Sequence, residues 1–527
     1  MTDLLFGQSY YLRFDPKLWA AQQPYPPLGT LYAAAFVRQR GYSAALFDAM
    51  LAESEAEWAA ALDAHRPRFA VIYEDNFNYL SKMCLLRMRE AAFTMIDMAR
   101  ARGCCVIVAG SDATDRSAAY LKAGADFVLL GEGEETLSEL LDRLTGRTTT
   151  PFEAILGLAC REVGVLARGE PSSLTPSPYP LAPNPRRPVI QDIDALPFPA
   201  WDLVDVERYR RLWLRRHGYY SMNMVTTRGC PYHCNWCAKP IWGQRYHSRR
   251  PEAVAEELRW LKQTYRPDHI WFADDIMGLK PGWWTRFAEQ VQALDARLPF
   301  KCLSRADLIV RSEGDVDALR RAGCDIVWLG AESGSQRILD AMEKGTTVEQ
   351  IREAARRLRA GGVRVGFFLQ FGYPGETRAD IEQTLQMVRD CRPDDIGMSV
   401  SYPLPGTKFH ENVRRQLSDK QNWIDSADLD MLYEGPFATP FYRQLHVVLH
   451  KEFRARRALA ELRRVAARPG AWRARHLREA AASLYRLATL PLERARLNRL
   501  AAEPSRAVRP APHMPLEEAA RPTPQEG

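Results

Sequence analysis

The sequence feature that most constrains the fold is an alternation of short apolar runs with helical patterns, which occurs in two blocks of the chain. In the first block, residues 1–147, helical patterns such as Leu28–Arg40 and Leu85–Arg102 separate runs with the length of buried strands. These runs are Asp3–Phe6, Ser43–Phe47, Phe69–Tyr73, Cys105–Ala109 and Asp126–Leu130. The alternation predicts a doubly wound parallel sheet, whose ligands bind beyond the carboxyl ends of the strands.

The second block, residues 217–410, repeats the alternation with six further strand-like runs. They are Met222–Thr226, His269–Ala273, Phe300–Leu303, Ile326–Gly330, Val363–Phe371 and Ile396–Ser401. Helical patterns separate these runs, and six such units predict a partial (β/α)6 barrel that functions at the carboxyl ends of its strands. The predicted fold class is therefore α/β, with an amino-terminal flavodoxin-like doubly wound sheet followed by the partial barrel.

Three segments lie outside these blocks. Residues 148–216 are rich in proline, as in TPSPYPLAPNPRRP, and are predicted to form a linker or strap. Residues 411–500 have a helical pattern rich in arginine and alanine, and residues 501–527 are predicted to be disordered. Residues 451–527 contain 17 basic and 8 acidic side chains, although the whole chain has a formal charge of only +7. Nucleic-acid enzymes usually carry their basic surface on the catalytic domain, so we expect no nucleic-acid partner.

Composition indicates a soluble protein, since 46% of the 527 residues are hydrophobic and 26% are charged. The chain has no apolar run of transmembrane length, and its start, MTDLLFGQSYYLRFD, lacks the pattern of a secretory signal. We therefore expect a cytoplasmic protein, in which ten cysteines do not indicate a disulfide framework. Seven cysteines are scattered, mostly in apolar runs where we expect core residues: Cys84, Cys104, Cys105, Cys160, Cys302, Cys324 and Cys391.

The other three cysteines, Cys230, Cys234 and Cys237, follow the first predicted barrel strand. Their spacing in RGCPYHCNWC is C-x3-C-x2-C, and the glycine and proline beside the first cysteine indicate an exposed turn. Three thiolates on one short loop can bind three irons of a [4Fe–4S] cluster and leave the fourth iron open. A structural zinc site needs a fourth ligand, and His233 is badly placed to provide it because it adjoins Cys234. The spacing therefore favours an iron–sulfur cluster.

A loop of this kind, with an aromatic residue before its last cysteine, resembles the radical S-adenosylmethionine (SAM) superfamily. The motifs FADD, SRAD, GAESGS, GYPGET and YPLPGT follow at the ends of strands two to six, which makes the resemblance specific over about residues 217–410. It implies that SAM chelates the open iron and that its reductive cleavage gives a 5′-deoxyadenosyl radical. Glu332 could then meet the ammonium or ribose of SAM, and Arg305 its carboxylate. The SAM-binding residues that the resemblance implies are Trp236, Asp274, Asp275, Ser304, Arg305, Glu332, Ser333, Gly372, Pro405 and Gly406. Any one of these motifs alone could be a turn with a helix cap.

A second resemblance covers about residues 1–205. The segments PYPPLGTLYAAAFVRQRGYSAALFDAM, AGADFVLLGEGEETLSELL and LPFPAWDL are similar to the cobalamin-binding domain and strap of one class of radical SAM enzymes. That class includes the anaerobic magnesium-protoporphyrin ester cyclase and many C-methyltransferases. The resemblance implies cobalamin at the carboxyl edge of the first sheet, with contacts from Gly110, Ser111, Asp112, Gly131, Glu132 and Gly133.

Two features of the first block have another interpretation. The GEGEE segment is also an ordinary helix start, where the helix dipole stabilises Glu134 and Glu135. The D-x-H-x-x-G motif of corrinoid domains with an axial histidine is not found, because His65, the one histidine before residue 150, lies in DAHRPR. We interpret His65 as a helix-end surface residue. Many members of the resembled class also lack this histidine.

Three functions stay open on the sequence. The first is cobalamin-dependent methylation of an unactivated carbon, the second is an oxidative cyclisation, and the third is a non-catalytic corrinoid or redox-sensing module. Either enzyme needs an electron donor such as flavodoxin or ferredoxin. Aromatic residues near the carboxyl end favour a hydrophobic or multi-ring small-molecule substrate, although helix packing also explains them: Tyr433, Phe437, Phe441 and Tyr442. A basic amphipathic stretch beyond them would suit weak peripheral membrane contact.

Overall fold

The computed structural model describes residues 2–83, 85–161, 183–417, 422–424, 429–466 and 474–502. Cys84, residues 162–182 of the strap and the tail beyond residue 502 lie outside these described residues. Two six-stranded sheets organise the described chain, and the carboxyl-terminal region is helical. The predicted fold class is therefore confirmed.

The first sheet has the strand order β2-β1-β3-β4-β5-β6. Its strands are β1 (Leu4–Gly7), β2 (Ala44–Leu46), β3 (Phe69–Tyr73), β4 (Cys105–Ala109), β5 (Phe127–Leu129) and β6 (Leu158–Cys160). Its helices are α1 (Pro16–Ala21), α2 (Leu28–Gln39), α3 (Ala56–His65), α4 (Tyr79–Met83), α5 (Leu86–Arg100), α6 (Ser111–Asp115), α7 (Ser117–Ala123) and α8 (Glu134–Leu144). The chain switches direction across the sheet at β1, which is the place where ligands of doubly wound sheets bind.

The strands of the first domain are apolar along their whole length because helices cover both faces of the sheet. Every residue of β1, β3 and β5 is buried. Trp58 of α3 and Met95 of α5 pack on one face, while α2 and α8 contribute Ala33 and Leu140 to the other. Strand β6 pairs antiparallel with β5 and lies in the segment that the sequence assigns to the linker. Its three residues are too few for periodicity to reveal a strand.

The barrel sheet has the order β14-β13-β12-β11-β10-β7, and all its strands are parallel. The strands of this block are β7 (Ser221–Met224), β8 (Thr227–Arg228), β9 (His247–Ser248), β10 (His269–Phe272), β11 (Phe300–Ser304), β12 (Cys324–Glu332), β13 (Arg364–Phe371) and β14 (Asp395–Val400). Strands β8 and β9 form a separate antiparallel ribbon. The helices are α10 (Pro251–Thr264), α11 (Trp283–Ala293), α12 (Ala306–Arg311), α13 (Gly314–Ala322), α14 (Gln336–Ala341), α15 (Val348–Ala360), α16 (Arg378–Cys391) and α17 (Lys408–Val413).

Burial alternates along the barrel strands. In β11, β14 and most of β12, one set of side chains is buried under the helices, while the other set faces the interior and keeps accessible surface. In the interior, Trp328 of β12 and Phe368 of β13 stack with ring centroids 4.6 Å apart, and Phe368 is 40% exposed. The half-barrel therefore has an open aromatic interior.

Helix α9 (Val206–His217) lies inside the segment predicted as a linker. Asp205 caps its first turn by accepting a hydrogen bond from the Arg208 N–H at 3.1 Å, and Gly218 ends it with a φ of 77°. The indole N–H of Trp213, on the buried face, donates to the carbonyl of Pro24 at 2.8 Å. Helix α9 of the strap is therefore packed, and it joins the first domain to the barrel.

The carboxyl-terminal region contains α18 (Thr439–Ala466) and α19 (Ala474–Ala501). Tyr433, Phe441 and Tyr442 are buried in the core beside the barrel, as the packing explanation of these aromatic residues requires. Helix α19 exposes Leu484 and Leu492, so membrane contact stays a prediction. Within the described ranges, no helix has the length and apolar character needed to cross a bilayer.

Candidate functional site

The three cysteines lie on the loop between β8 and β9, just beyond the first barrel strand. Gly229 begins this loop with a φ of 79°, and a Cβ atom there would collide with the carbonyl oxygen of Arg245. Only glycine therefore fits this position. The N–H of Cys237 donates to the carbonyl of Cys234 at 3.2 Å, which closes a tight turn between these two cysteines.

The thiols of this loop have the chemistry that an iron–sulfur cluster needs. Burial raises the pKa of Cys230 and raises the pKa of Cys237 to about 12, so a positive partner is required to ionise them. No three His, Cys, Asp or Glu side chains among the described residues form a site for a single metal ion. A cubane has a different requirement, because each cysteine binds a different iron. Three thiols on one loop fit a [4Fe–4S] cluster with one open iron.

Asp274, at the end of β10, holds the backbone that leads into the cysteine loop. One carboxylate oxygen accepts hydrogen bonds from the N–H groups of Thr226 at 2.7 Å and Thr227 at 2.8 Å. The other oxygen accepts the Thr226 hydroxyl at 2.7 Å. Burial raises the pKa of Asp274 to about 6 despite these bonds. The neighbouring Asp275 forms an ion pair with Lys82 of the first domain.

Asn235, which the sequence motifs did not single out, fixes the loop from the other side. Its side-chain amide donates to the carbonyl of Ala341 at 2.7 Å and accepts from the Tyr373 hydroxyl at 3.0 Å. Its backbone carbonyl accepts the N–H of Phe409 at 3.0 Å. Asn235 therefore ties the cysteine loop to the ends of three later barrel segments.

Arg305 places a positive charge against the cysteine loop, directly after the buried Ser304 at the end of β11. Its guanidinium lies 3.6 Å from the ring centroid of Tyr232, and Nη1 is 4.0 Å from Sγ of Cys234. Nε donates to Asp307 at 2.9 Å. A cation at this position favours ionised cysteine ligands. Contact between Arg305 and the SAM carboxylate stays a prediction.

Glu332 ends β12 with a φ of 55°, which is uncommon for a residue other than glycine. Its buried carboxylate pairs with the buried ammonium of Lys344 at 2.8 Å. The next residue, Ser333, accepts the N–H of Ser335 through its hydroxyl at 3.1 Å. Strained residues of this kind persist where their surroundings hold them, often at binding sites. Lys344 is a second cation at this edge that the sequence motifs missed.

The remaining predicted SAM residues lie at the same end of the barrel. The indole N–H of Trp236 is buried and has no acceptor among the described residues, so a ligand could accept its hydrogen bond. Gly372 has a φ of 80° after β13, and its N–H donates to Glu376 at 2.7 Å. Pro405 and Gly406 lie in the turn after β14.

The carboxyl edge of the first sheet carries the predicted cobalamin residues. At Gly110 an added Cβ would lie 2.7 Å from Cβ of Glu74, so glycine lets the loops after β3 and β4 approach each other. Both oxygens of Asp112 accept hydrogen bonds from Arg89 at 2.6 Å, and one also accepts the Tyr120 hydroxyl at 2.8 Å. The Asp112 carboxylate is therefore paired within the domain.

Two buried polar atoms at this edge have no hydrogen-bond partner in the part of the chain that the structure describes. They are Nε2 of Gln8, after β1, and Oε2 of Glu74, after β3. The other oxygen of Glu74 accepts the hydroxyl of Ser9 at 2.6 Å and its N–H at 3.0 Å. Nearby, Ser111 donates to Asn76 at 3.2 Å. Unpaired buried polar atoms are uncommon, so this edge has the capacity to bind a polar ligand.

The loop after β5 joins the two domains. Arg228, one residue before the cysteine loop, is buried and donates to Glu132 and, at 2.7 Å, to Glu134. The indole of Trp242 also donates to Glu132, at 3.2 Å. Burial alone would lower the pKa of Arg228, but the two carboxylates outweigh that effect and raise it. We call Arg228, Glu132 and Glu134 the interdomain charge network.

Two glycines shape the loop that carries this network. Gly131 has a φ of 80°, and a Cβ on Gly133 would lie 2.8 Å from the Tyr73 hydroxyl. The predicted contacts of these residues with the corrin stay predictions. His65 is the last residue of α3, which leads into β3 at the opposite edge of the sheet. It is therefore far from the predicted corrin edge, as expected for a helix-end residue.

The half-barrel and its three-cysteine loop define a radical SAM domain. Residues 224–388 match the family model of the Radical SAM superfamily, and this range includes the cysteine loop and the motifs after β10 to β13. The chain therefore carries a radical SAM domain.

Named relatives are similar to a larger part of the chain. An uncharacterized methyltransferase of Pyrococcus horikoshii is 30% identical over 309 residues, which are 58% of this chain and 62% of that protein. The anaerobic magnesium-protoporphyrin IX monomethyl ester cyclase of Synechocystis is 27% identical over 301 residues, which are 56% of each chain. This chain spans less than two thirds of the length of these relatives.

A solved structure shares the fold over both domains. The radical SAM methyltransferase TsrM from Kitasatospora setae, solved with cobalamin and a [4Fe–4S] cluster, aligns with a TM-score of 0.62 at 19% identity. The alignment covers 80% of this chain and 76% of TsrM. At this level of identity the likeness is one of fold.

Proposed function

We propose that this chain is a cobalamin-dependent radical SAM enzyme that methylates an unactivated carbon. One observation carries the proposal: the cysteine loop and the carboxyl edge of the first sheet meet at the interdomain charge network. A radical source and a methyl donor must reach one substrate, so their sites have to share one enclosed space. The network supports this arrangement because it joins the residue before the cysteine loop to the loop after β5.

The barrel edge would hold the cluster and SAM. Cys230, Cys234 and Cys237 would bind three irons, while Arg305 and Lys344 place positive charge around them. The unpaired indole N–H of Trp236 would donate to a ligand beside the loop. Asp274 and Asn235 keep the loop in place, so the sulfur atoms are oriented before any metal binds.

The first-domain edge would hold cobalamin through unpaired polar atoms and close backbone approach. Gln8 and Glu74 offer a donor and an acceptor, and Gly131 and Gly133 contribute no side chain to the loop after β5. Because His65 lies at the opposite edge, the cobalt would have no histidine ligand from this domain. When the cofactors are bound, the cluster and SAM supply the hydrogen-abstracting radical and cobalamin supplies the methyl group.

The proposal is tested by anaerobic reconstitution, with iron, sulfide and cobalamin measured on the same sample. With dithionite, or with flavodoxin or ferredoxin as the proposed natural donor, the protein should form 5′-deoxyadenosine from SAM. The triple variant Cys230→Ala, Cys234→Ala, Cys237→Ala should lose the cluster and this activity. Cys105→Ala is the matched control, because Cys105 begins β4 far from the loop. A triple variant that keeps a full cubane and still cleaves SAM would refute the proposal.

Oxidative cyclisation is the second candidate function, and the similarity to the porphyrin ester cyclase favours it. SAM with a labelled methyl group separates the two reactions, since only methylation transfers the label to the product. A non-catalytic corrinoid module would form no deoxyadenosine under reducing conditions.

A further inference from the structure

A cavity of about 190 Å³ lies between the first domain and the first strands of the barrel. Tyr10 and Phe77, from the loops after β1 and β3, line one side. Asn223 of β7, Trp271 of β10 and Lys301 of β11 line the other. None of these residues belongs to the cysteine loop or to the predicted cofactor contacts, so the cavity is an additional part of the site.

Lys301, at an interior-facing position of β11, is a half-buried cation without a carboxylate partner among the described residues. Its Nζ lies 5.3 Å from the ring centroid of Tyr25 and 5.0 Å from that of Trp271. No carboxylate of the described residues lies within ion-pair distance of it. Burial lowers its pKa to about 8, although the more distant Asp395 opposes this shift, so the amine is still mostly protonated at neutral pH. Charged groups with little access to water are normally paired, so this amine can pair with an anion that enters the cavity.

Asn223 supplies the cavity with a hydrogen-bond acceptor. Its amide nitrogen donates to the carbonyl of Pro26 at 3.0 Å, which fixes the orientation of the amide. Its Oδ1 is then left without a partner, although the residue is only 2% exposed. An N–H or O–H group of a ligand would satisfy this oxygen.

We propose that this cavity binds the substrate, and that the substrate is a small aromatic or heteroaromatic molecule with an anionic carboxylate or phosphate. The anion pairs with Lys301, an N–H or O–H group donates to Oδ1 of Asn223, and the rings lie among Tyr25, Phe77 and Trp271. The volume suits one or two rings, which is smaller than the multi-ring substrate favoured by the carboxyl-terminal aromatic residues. That the bound molecule is the substrate rests on the proposed function, whereas the binding site stands on this geometry alone.

The test measures binding to the reconstituted protein without reductant, by isothermal titration calorimetry. Two probes of nearly the same shape are compared: indole-3-acetate, which is anionic, and indole-3-acetamide, which is neutral. The wild-type protein should bind the acetate at least about tenfold more tightly than the amide. Lys301→Met should remove this preference by weakening acetate binding, and Lys301→Arg should keep most of it. Asn223→Leu should weaken both probes by a similar factor.

Lys122→Met is the matched control, because it removes the same charge from the exposed surface and should leave both affinities unchanged. The proposal is overturned if the wild-type protein binds neither probe, or binds both equally. It is also overturned if Lys301→Met keeps the acetate preference but releases cobalamin, since Lys301 would then pair with the phosphate of that cofactor. Because binding is measured without reductant, a failure of SAM cleavage would refute the proposed function and leave this result standing.

Discussion

Asp274 in the barrel and Glu74 in the first domain are buried carboxylates that follow the carboxyl ends of parallel strands. Three hydrogen bonds from Thr226 and Thr227 occupy both oxygens of Asp274. Both bonds to Glu74 come from Ser9 and fall on one oxygen, so the other has no partner among the described residues. A carboxylate at a strand end is therefore not a ligand contact by position alone. What distinguishes the two is how much of their hydrogen-bonding capacity the protein already uses.

The largest expected effect comes from removing Arg228, which links the cysteine loop to the carboxyl edge of the first sheet. Arg228→Met leaves Glu132 and Glu134 buried without their cation, which should lower the free energy of unfolding by about 3–5 kcal/mol. Thermal and denaturant unfolding of the reconstituted protein measure this loss. Lys82→Met is the control, because it removes a partly exposed interdomain ion pair worth about 0–1 kcal/mol. Equal losses in both variants would show that the network does not hold the domains together.

A smaller effect is expected at Asp274, the carboxylate whose two oxygens both accept hydrogen bonds. Asp274→Ala leaves two buried backbone N–H groups unpaired and should cost about 2–4 kcal/mol, together with a lower iron content after reconstitution. Asp274→Asn can still accept both N–H bonds through its amide oxygen, and should cost about 1 kcal/mol or less. Iron assays and unfolding curves of the two variants check this. If the alanine variant keeps wild-type stability and iron, Asp274 does not anchor the cysteine loop.

The smallest effect is expected at Glu74, the carboxylate with one unpaired oxygen, and this effect depends on pH. Burial raises the pKa of Glu74 to about 7, from an ordinary value near 4.5. Between these values the unfolded chain has lost the proton that the folded protein keeps, so this group makes stability fall as pH rises from about 4.5 to 7. Glu74→Gln removes this dependence. The free energy of unfolding of the variant, relative to that of the wild-type protein, should therefore increase by about 2 kcal/mol from pH 5 to pH 8. Parallel stability–pH curves for the two proteins would contradict the comparison.

The strand pattern of both sheets was predictable because buried parallel strands are continuous apolar runs. Phe69–Tyr73 and Cys105–Ala109 are strands with the predicted bounds, and the five motifs that follow the cysteine loop lie at strand ends as expected. The elements that periodicity missed were β6, which is too short, and α9, whose helical signals stand beside a proline-rich stretch. Asp205 and Gly218 were nevertheless recognisable as the cap residues of α9.

The cysteine loop could be recognised from the sequence because the three predicted ligands of one cluster are neighbours in the sequence. The sequence did not reveal the roles of four other residues, because each acts through residues that are not its neighbours in the sequence. These residues are Arg228, Asn235, Lys301 and Lys344. Lys344 meets Glu332 from the far end of α14, and Arg228 meets carboxylates from another domain. Nothing in a single sequence marks a lysine as unpaired, because pairing depends on which strands become neighbours. The cavity beside Lys301 could therefore be identified only in the three-dimensional structure.

The position of Arg228 also limits how this protein can be recombined. Consider a hybrid that joins this barrel to the amino-terminal domain of a relative without the two matching acidic residues. In that hybrid the guanidinium of Arg228 would be buried without a carboxylate partner. The reverse exchange would leave two acids facing each other in the same place. The two halves must therefore be inherited, or transplanted, as a matched pair, and residue 228 is the place to check before any such hybrid is designed.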